Sequence, residues 1–239
     1  MMESTTKLLL NHLFCHLMII PAFLYGEWWM FVAAFAWWYV IVIVAISGGY
    51  HRYYSHKSFK AGKWYEYVVN VLGIFSGAGP AMTWVATHKQ HHAYSDTEND
   101  PHSYTKKGWF AVYFNTWGYD VKIKRRYIKR LFKHPILMWF YRNYFAINLA
   151  IVAVLLIIDP MLLVFGYALP VVFAFHGYGI LNILGHLGGE PRNSWVANIM
   201  TAGEGWHKNH HLRANDYEIG KEWYQLDPTA WFIKLIKIG

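Results

Sequence analysis

WWMFVAAFAWWYVIVIVAISGGY, residues 28–50, holds no charged side chain and runs straight into HRYYSH, residues 51–56. A helix needs about 20 such residues to cross a bilayer. Working outward, three more runs meet the same requirement: 8–25 (LLLNHLFCHLMIIPAFLY), 136–158 and 161–184. The first is the weakest, because Asn11, His12 and His16 interrupt it. Composition agrees. Of the 239 residues, 55% are hydrophobic and 15% charged, against about 25% charged in soluble domains. The fold expected is an all-α membrane protein with four transmembrane helices in two hairpins. A signal peptide is the competing reading of residues 1–25, with Lys7 as its basic start. No small-x-small cleavage site follows, and Pro21 and Phe23-Leu24-Tyr25 occupy that region, so an uncleaved span is expected.

Orientation follows from the basic residues. The turns at Gly26-Glu27 and Asp159-Pro160 carry none, whereas segment 51–135 holds 14 of the 22 and the tail from 185 holds six. The positive-inside rule then puts both termini and both long segments in the cytoplasm, as a helical cap over the spans. The formal charge of +8 is read without nucleic acid. Lys122, Lys124, Arg125, Arg126, Lys129, Arg130 and Lys133 precede the third span, where they meet anionic membrane lipids or dock an acidic partner. The single cysteine, Cys15, lies in the first span, which excludes an intrachain disulfide and a cysteine metal cluster.

The 14 histidines are the second feature. HKQHH places His88, His91 and His92 at i, i+3 and i+4, and GEGWHKNHH repeats the spacing with His207, His210 and His211. On an α-helix each trio shares one face. His51 and His56 are five apart, a rotation of about 500°, which predicts ligands reaching different points or a helix end that bends. In NILGH, Asn182 and His186 are i, i+4 neighbours at the end of the fourth span. A lone HxxHH is an ordinary solvated helix face. Two of them with HxxxxH, all on one side of one membrane, predict a metal site. Eight or more imidazoles exceed what one ion binds, so two metals are implied. Imidazole suits zinc, copper, iron and nickel alike, and leaves the metal open. Asp96, Glu98, Asp100 and Glu204 stand nearby and can orient imidazoles through the second ring nitrogen.

HRYYSH, HKQHH with SDTENDPH after it, GEGWHKNHH and the closing WYQLDPTAW resemble the integral-membrane fatty acid desaturases, in their delta-9 acyl-CoA or acyl-lipid branch, over residues 45 to 235. The resemblance implies a single desaturase domain over 1–239, with a cap at 51–135 and 185–239. It implies a di-iron centre ligated by His51, His56, His88, His91, His92, His186, His207, His210 and His211, with Asn182 contacting one metal through water. It implies a cis double bond made in a saturated acyl chain on CoA or lipid, using O2 and an external electron donor, cytochrome b5 or a ferredoxin. Zinc has no accessible redox change and would fill the site as an inactive substitute. Trp84 matches a tryptophan lining the bend of the family's acyl tunnel. Residues 64–86, broken by Gly77, Gly79 and Pro80, are expected to lie on the membrane or re-enter it.

The chain departs from the family pattern at Ala78, where a glutamine is frequent, and at Tyr178, where a threonine is common. Both belong to the expected substrate channel, so regiochemistry stays open. HHLRANDYEIG likewise replaces a proline- and serine-containing sequence. A hydroxylase of the same superfamily, acting on a lipid or alkane, is the nearest rival, because both outcomes follow one hydrogen abstraction. A metal transporter is the rival of another class, but transporters hold their ligands inside the spans. His12, His16 and His176 are expected to hydrogen-bond within the bundle, His134 to belong to the basic loop, and His102 to support the site without ligating.

Overall fold

The structure is a computed structural model that describes residues 2–114 and 122–238. Among these residues it is helical, with no β-strand. Four stretches are long and apolar enough to span a membrane: Thr5–Tyr25, Trp28–Ser55, Pro135–Ile158 and Pro160–Leu184. The second outruns the expected 28–50 because the helix does not stop at the first histidine box.

The first span combines α1 (Met2–Leu17) and α2 (Ile19–Tyr25). The second begins as α3 (Trp28–Ile41) and continues as a π-helix over Val42–Ser55. This winding corrects the expectation for HRYYSH. In a π-helix the hydrogen bond runs from i+5 to i, and the His56 N–H donates to the His51 carbonyl at 3.1 Å. Five residues therefore make about one turn, and both imidazoles face the same way, with ring centroids 4.8 Å apart.

The third span is α9 (Pro135–Ile158), entered through His134, whose Nδ1 accepts from the Leu137 N–H at 3.5 Å. The turn into the fourth is fixed by Asp159, whose carboxylate accepts from the Met161 N–H at 2.7 Å, and by Pro160 at the first helical position. The fourth span runs through α10 (Pro160–Leu163), a π-turn (Val164–Ala168) and α11 (Leu169–Leu184). Pro170 has no N–H for the Gly166 carbonyl one turn back, and hydrocarbon offers no substitute. The Trp37 indole N–H of α3 supplies it, at 3.0 Å. α11 packs against both α1 and α3 and so ties the two halves of the bundle together.

The cap begins with α4 (Lys63–Ile74) and α5 (Ala81–Tyr94), separated by a turn in which Gly77 and Gly79 take φ of +64° and +80°. That break is why residues 64–86 do not form a span. α4 exposes Trp64, Tyr67 and Val71, as a membrane-surface helix does. α6 (Tyr104–Lys107), α7 (Trp109–Phe114) and α8 (Arg125–Ile128) follow; α12 (Trp195–Thr201), α13 (His207–Leu212) and α14 (Pro228–Ile236) complete the cap. The main core joins Trp38, Ile41, Val42, Ala45 and Ile46 to Tyr65, Val69, Met82, Leu137 and Ile233, so the second span and the cap share one interior.

The intramembrane histidines do hydrogen-bond within the bundle. His12 Nε2 lies 3.2 Å from the Gly77 carbonyl, His16 Nε2 3.3 Å from His176 Nε2, and Tyr113 Oη 2.8 Å from His176 Nδ1.

Gly49 sets the approach of the π-helix to α4, since a Cβ there would lie 2.4 Å from a Val69 methyl. Gly49→Ala is expected to destabilise the protein by about 1–3 kcal/mol, as overpacking does. Adding Val69→Ala is expected to restore part of the loss, as read by thermal unfolding in detergent.

Candidate metal centre

Three helical pieces and one turn bring nine imidazoles into two groups. His51, His56, His88, His92 and His210 form one, and His91, His186, His207 and His211 the other; within each group the candidate ligand nitrogens lie within 4.8 Å of one another. The two HxxHH boxes contribute in mirror fashion. From α5 the i, i+4 pair His88 and His92 enters the five-imidazole group, and His91 the other. From α13 the i, i+4 pair His207 and His211 enters the four-imidazole group, and His210 the first. The groups abut, with the His92 and His211 rings stacked at 4.4 Å and 19°.

Carboxylates fix three of these rings. Glu204 Oε2 lies 2.5 Å from His51 Nδ1, Asp96 Oδ2 is 2.8 Å from His186 Nδ1, and Asp100 is 3.0 and 3.1 Å from His91 Nδ1. An ionised carboxylate only accepts, so His91 and His186 carry the proton on Nδ1 and present a lone pair at Nε2. Asp100 is itself held by the backbone N–H groups of Asp96 and His102, at 2.9 and 3.0 Å.

The Nε2 atoms then meet one another. His210 Nε2 lies 3.0 Å from that of His51 and 2.8 Å from that of His92; His207 Nε2 lies 2.9 Å from that of His186 and 3.1 Å from that of His211. One nitrogen has one proton or one lone pair in the ring plane and cannot satisfy two such neighbours. A cation at the focus satisfies all of them. The donor set therefore fits a pair of metal ions. Protonation also suits ligation. Burial, and then the neighbouring imidazoles, push His56, His88, His91, His207 and His210 below the usual histidine range, with His92 at about 2 and His211 at about 3. At neutral pH these rings keep their lone pairs.

The remaining expected residues fall as follows. Asn182 is half-buried on α11, one turn before His186. Trp84 stacks on His88, with centroids 5.0 Å apart and 16° between planes. Ala78 is buried in the main core, and Tyr178 packs against the same core with its ring edge-on to Trp38 at 6.2 Å. Glu98 orients no imidazole; it is exposed and lies 3.8 Å from Lys106. His102 stacks on His91 at 4.3 Å and lies outside both imidazole groups, clustered instead with His91 and Asp100. His134 Nε2 is 3.5 Å from Glu66. Sequence reasoning missed Arg52 and Asp227, both buried, Arg52 bonded to Glu204 on one side and to Asp227 on the other. The signal available was a lone arginine at the apolar end of a span, where a charge needs partners.

A sequence profile described as fatty acid desaturase matches residues 26–234. The chain belongs to that family, and it is an oxidoreductase. Curated relatives differ in what their names say. An sn-2 palmitoyl-lipid 9-desaturase of Nostoc sp. (strain 36) is 32% identical over 209 residues, covering 81% of this chain and 73% of the relative. An acyl-CoA 5-desaturase of Anemone leveillei is 32% identical over 203 residues, covering 79% and 63%. A chloroplastic palmitoyl-monogalactosyldiacylglycerol delta-7 desaturase of Arabidopsis thaliana is 30% identical over 237 residues, covering 93% and 63%.

Replacing Asp100 by Asn leaves the shape but removes the anion that orients His91. Metal affinity of the four-imidazole group is expected to fall roughly 10–100-fold, measured by chelator competition with elemental analysis. Glu98→Gln is expected to change nothing.

Proposed function

We propose that this protein is an O2-dependent fatty acyl desaturase with two iron ions, one held by His51, His56, His88, His92 and His210 and the other by His91, His186, His207 and His211, with Asn182 beside the second through water. The observation that carries the reading is the pair of abutting imidazole groups in a chain of this family. Five imidazoles in one group exceed the four donors of a structural zinc site. Iron bound there would supply the redox chemistry by which O2, two external electrons and two protons take two hydrogens from adjacent methylenes, leaving a cis double bond and two water molecules.

The chain's own residues hold and shield the site. Asp100 and Asp96 keep Nδ1 protonated on His91 and His186, Glu204 sits against His51, and burial of His51, His88, His91, His186, His207 and His210 limits water at the reacting position. The acyl chain is read as lying along the apolar core that adjoins the five-imidazole group, with Trp84, Ala78 and Tyr178 on its path. Double-bond position would follow from how far that path admits the chain. The 9-, 5- and 7-desaturase names of the relatives make it the property to measure, on CoA or lipid carriers. The site and both termini are assigned to the cytoplasmic face on the distribution of basic residues.

Expression in a desaturase-deficient host, with lipids derivatised and analysed by gas chromatography–mass spectrometry, is expected to give one new monounsaturated acid. His207→Ala is expected to abolish it, and zinc loading to do the same. A hydroxylated product would overturn the reading in favour of an oxygenase.

The electron donor is proposed to dock on the basic surface around α8. Lys122, Arg125, Arg126, Lys129, Arg130 and Lys133 are exposed there, and α8 packs on α5, which carries the HKQHH box. Lys129→Glu with Arg130→Glu is expected to slow reduction by cytochrome b5 or ferredoxin several-fold at low salt and little at high salt. An unchanged rate at low salt would leave the patch as a topology signal alone.

A further inference from the structure

The closing stretch WYQLDPTAW, residues 223–231, lies outside both imidazole groups, yet Asp227 is almost fully buried and ends a continuous ionic chain. Both Asp227 oxygens accept from Arg52 Nη1, at 2.9 and 3.0 Å, and the same nitrogen donates to the Tyr217 carbonyl at 2.6 Å. Arg52 Nε and Nη2 both donate to Glu204 Oε1, at 3.1 and 3.0 Å, and Ser47 Oγ donates to that oxygen as well. This leaves Glu204 Oε2 for His51 Nδ1, at 2.5 Å.

We propose that Asp227 is a positioning residue for the five-imidazole group, acting through Arg52 and Glu204 on His51. The inference rests on the reading of that group as a metal site. A guanidinium fork prefers to take both oxygens of one carboxylate. Asp227 and the Tyr217 carbonyl hold one side of Arg52, so the fork meets Glu204 through a single oxygen. Without Asp227, the fork can turn to grip both Glu204 oxygens and draw Oε2 away from His51. A purely stabilising role explains less. Two carboxylates and one guanidinium are buried at the end of an apolar helix, where well-packed apolar residues are commonly as stable or more so. The surrounding chain is shaped to admit the group. Gly203 has φ of +124°, and a Cβ there would lie 2.4 Å from Asp227 Oδ1 and 2.9 Å from Arg52 Nη2. Asp227 also accepts from the backbone N–H groups of Ala230, Ile219 and Gly220, at 2.9, 2.9 and 3.3 Å. The tail is thereby folded around the same carboxylate that anchors Arg52.

The test uses the full-length protein in detergent, stripped of metal and titrated anaerobically with ferrous iron, with bound iron counted by elemental analysis. Wild type binding two ions supports the metal reading; binding none would refute that reading itself. Asp227→Asn keeps an acceptor for the Ala230 N–H and removes the charge. It is expected to weaken one of the two ions roughly tenfold or more and leave the other. Thr229→Val is the control. It cuts the buried bond from Thr229 Oγ1 to the Ala202 carbonyl, at 2.7 Å, in the same segment but off the ionic chain. It is expected to lower Tm without changing either affinity. In a Glu204→Gln background, Asp227→Asn is expected to add nothing. If Asp227→Asn does not fold, Asp227→Glu, which displaces the charge by one methylene, is read the same way. Wild-type loading by the Asp227 variant, or equal weakening by Thr229→Val at equal loss of Tm, would overturn the proposal.

Discussion

The hydrogen bond from the His56 N–H to the His51 carbonyl fixes more of this molecule than its size suggests. It closes a ring one residue wider than an α-helical turn, and it belongs to a π-wound segment that is continuous with a membrane span. Because of that winding, one helix leaves the bilayer with two imidazoles on one side, and Arg52 between them turns inward. α5 and α13, with His186 from the turn after α11, then complete the two groups beside this fixed edge. The glycines of the same segment let α4 approach it closely, so the ligand scaffold and the main apolar core are one body.

The dependence runs through polar groups that the membrane makes expensive. The Gly166 carbonyl freed by Pro170 is answered from a neighbouring span, and Arg52 at the end of its span is answered by two carboxylates and a carbonyl. In each case the partner comes from a distant part of the chain. Satisfying a local deficit is what joins remote elements.

Much of this was legible in the sequence. The spans declare themselves because hydrocarbon demands long uncharged runs, and the break at Gly77 and Gly79 announces that residues 64–86 turn back. The histidine boxes are legible because their spacing repeats. The five-residue spacing of HRYYSH misled, since on an α-helix it reads as out of phase and nothing in composition signals a π-turn. His186 is a single histidine at a span end, and only resemblance to a family distinguishes it. Asp96, Asp100 and Glu98 look equivalent in SDTENDPH; the fold points the first two inward and leaves the third in solvent. Asp227 and Arg52 are 175 residues apart, and no local pattern records that they meet.

The mirror contribution of the two HxxHH boxes has a mechanical meaning. Each of α5 and α13 carries two donors of one group and one of the other, so neither helix can rotate or slide without disturbing both. Separation between the groups is therefore set by the width of a single helical turn on two rigid rods, and loops have little say in it. A centre built this way resists being half-assembled. Any looseness in α5 or α13 is felt in both imidazole groups together, in a two-to-one proportion that reverses from one helix to the other.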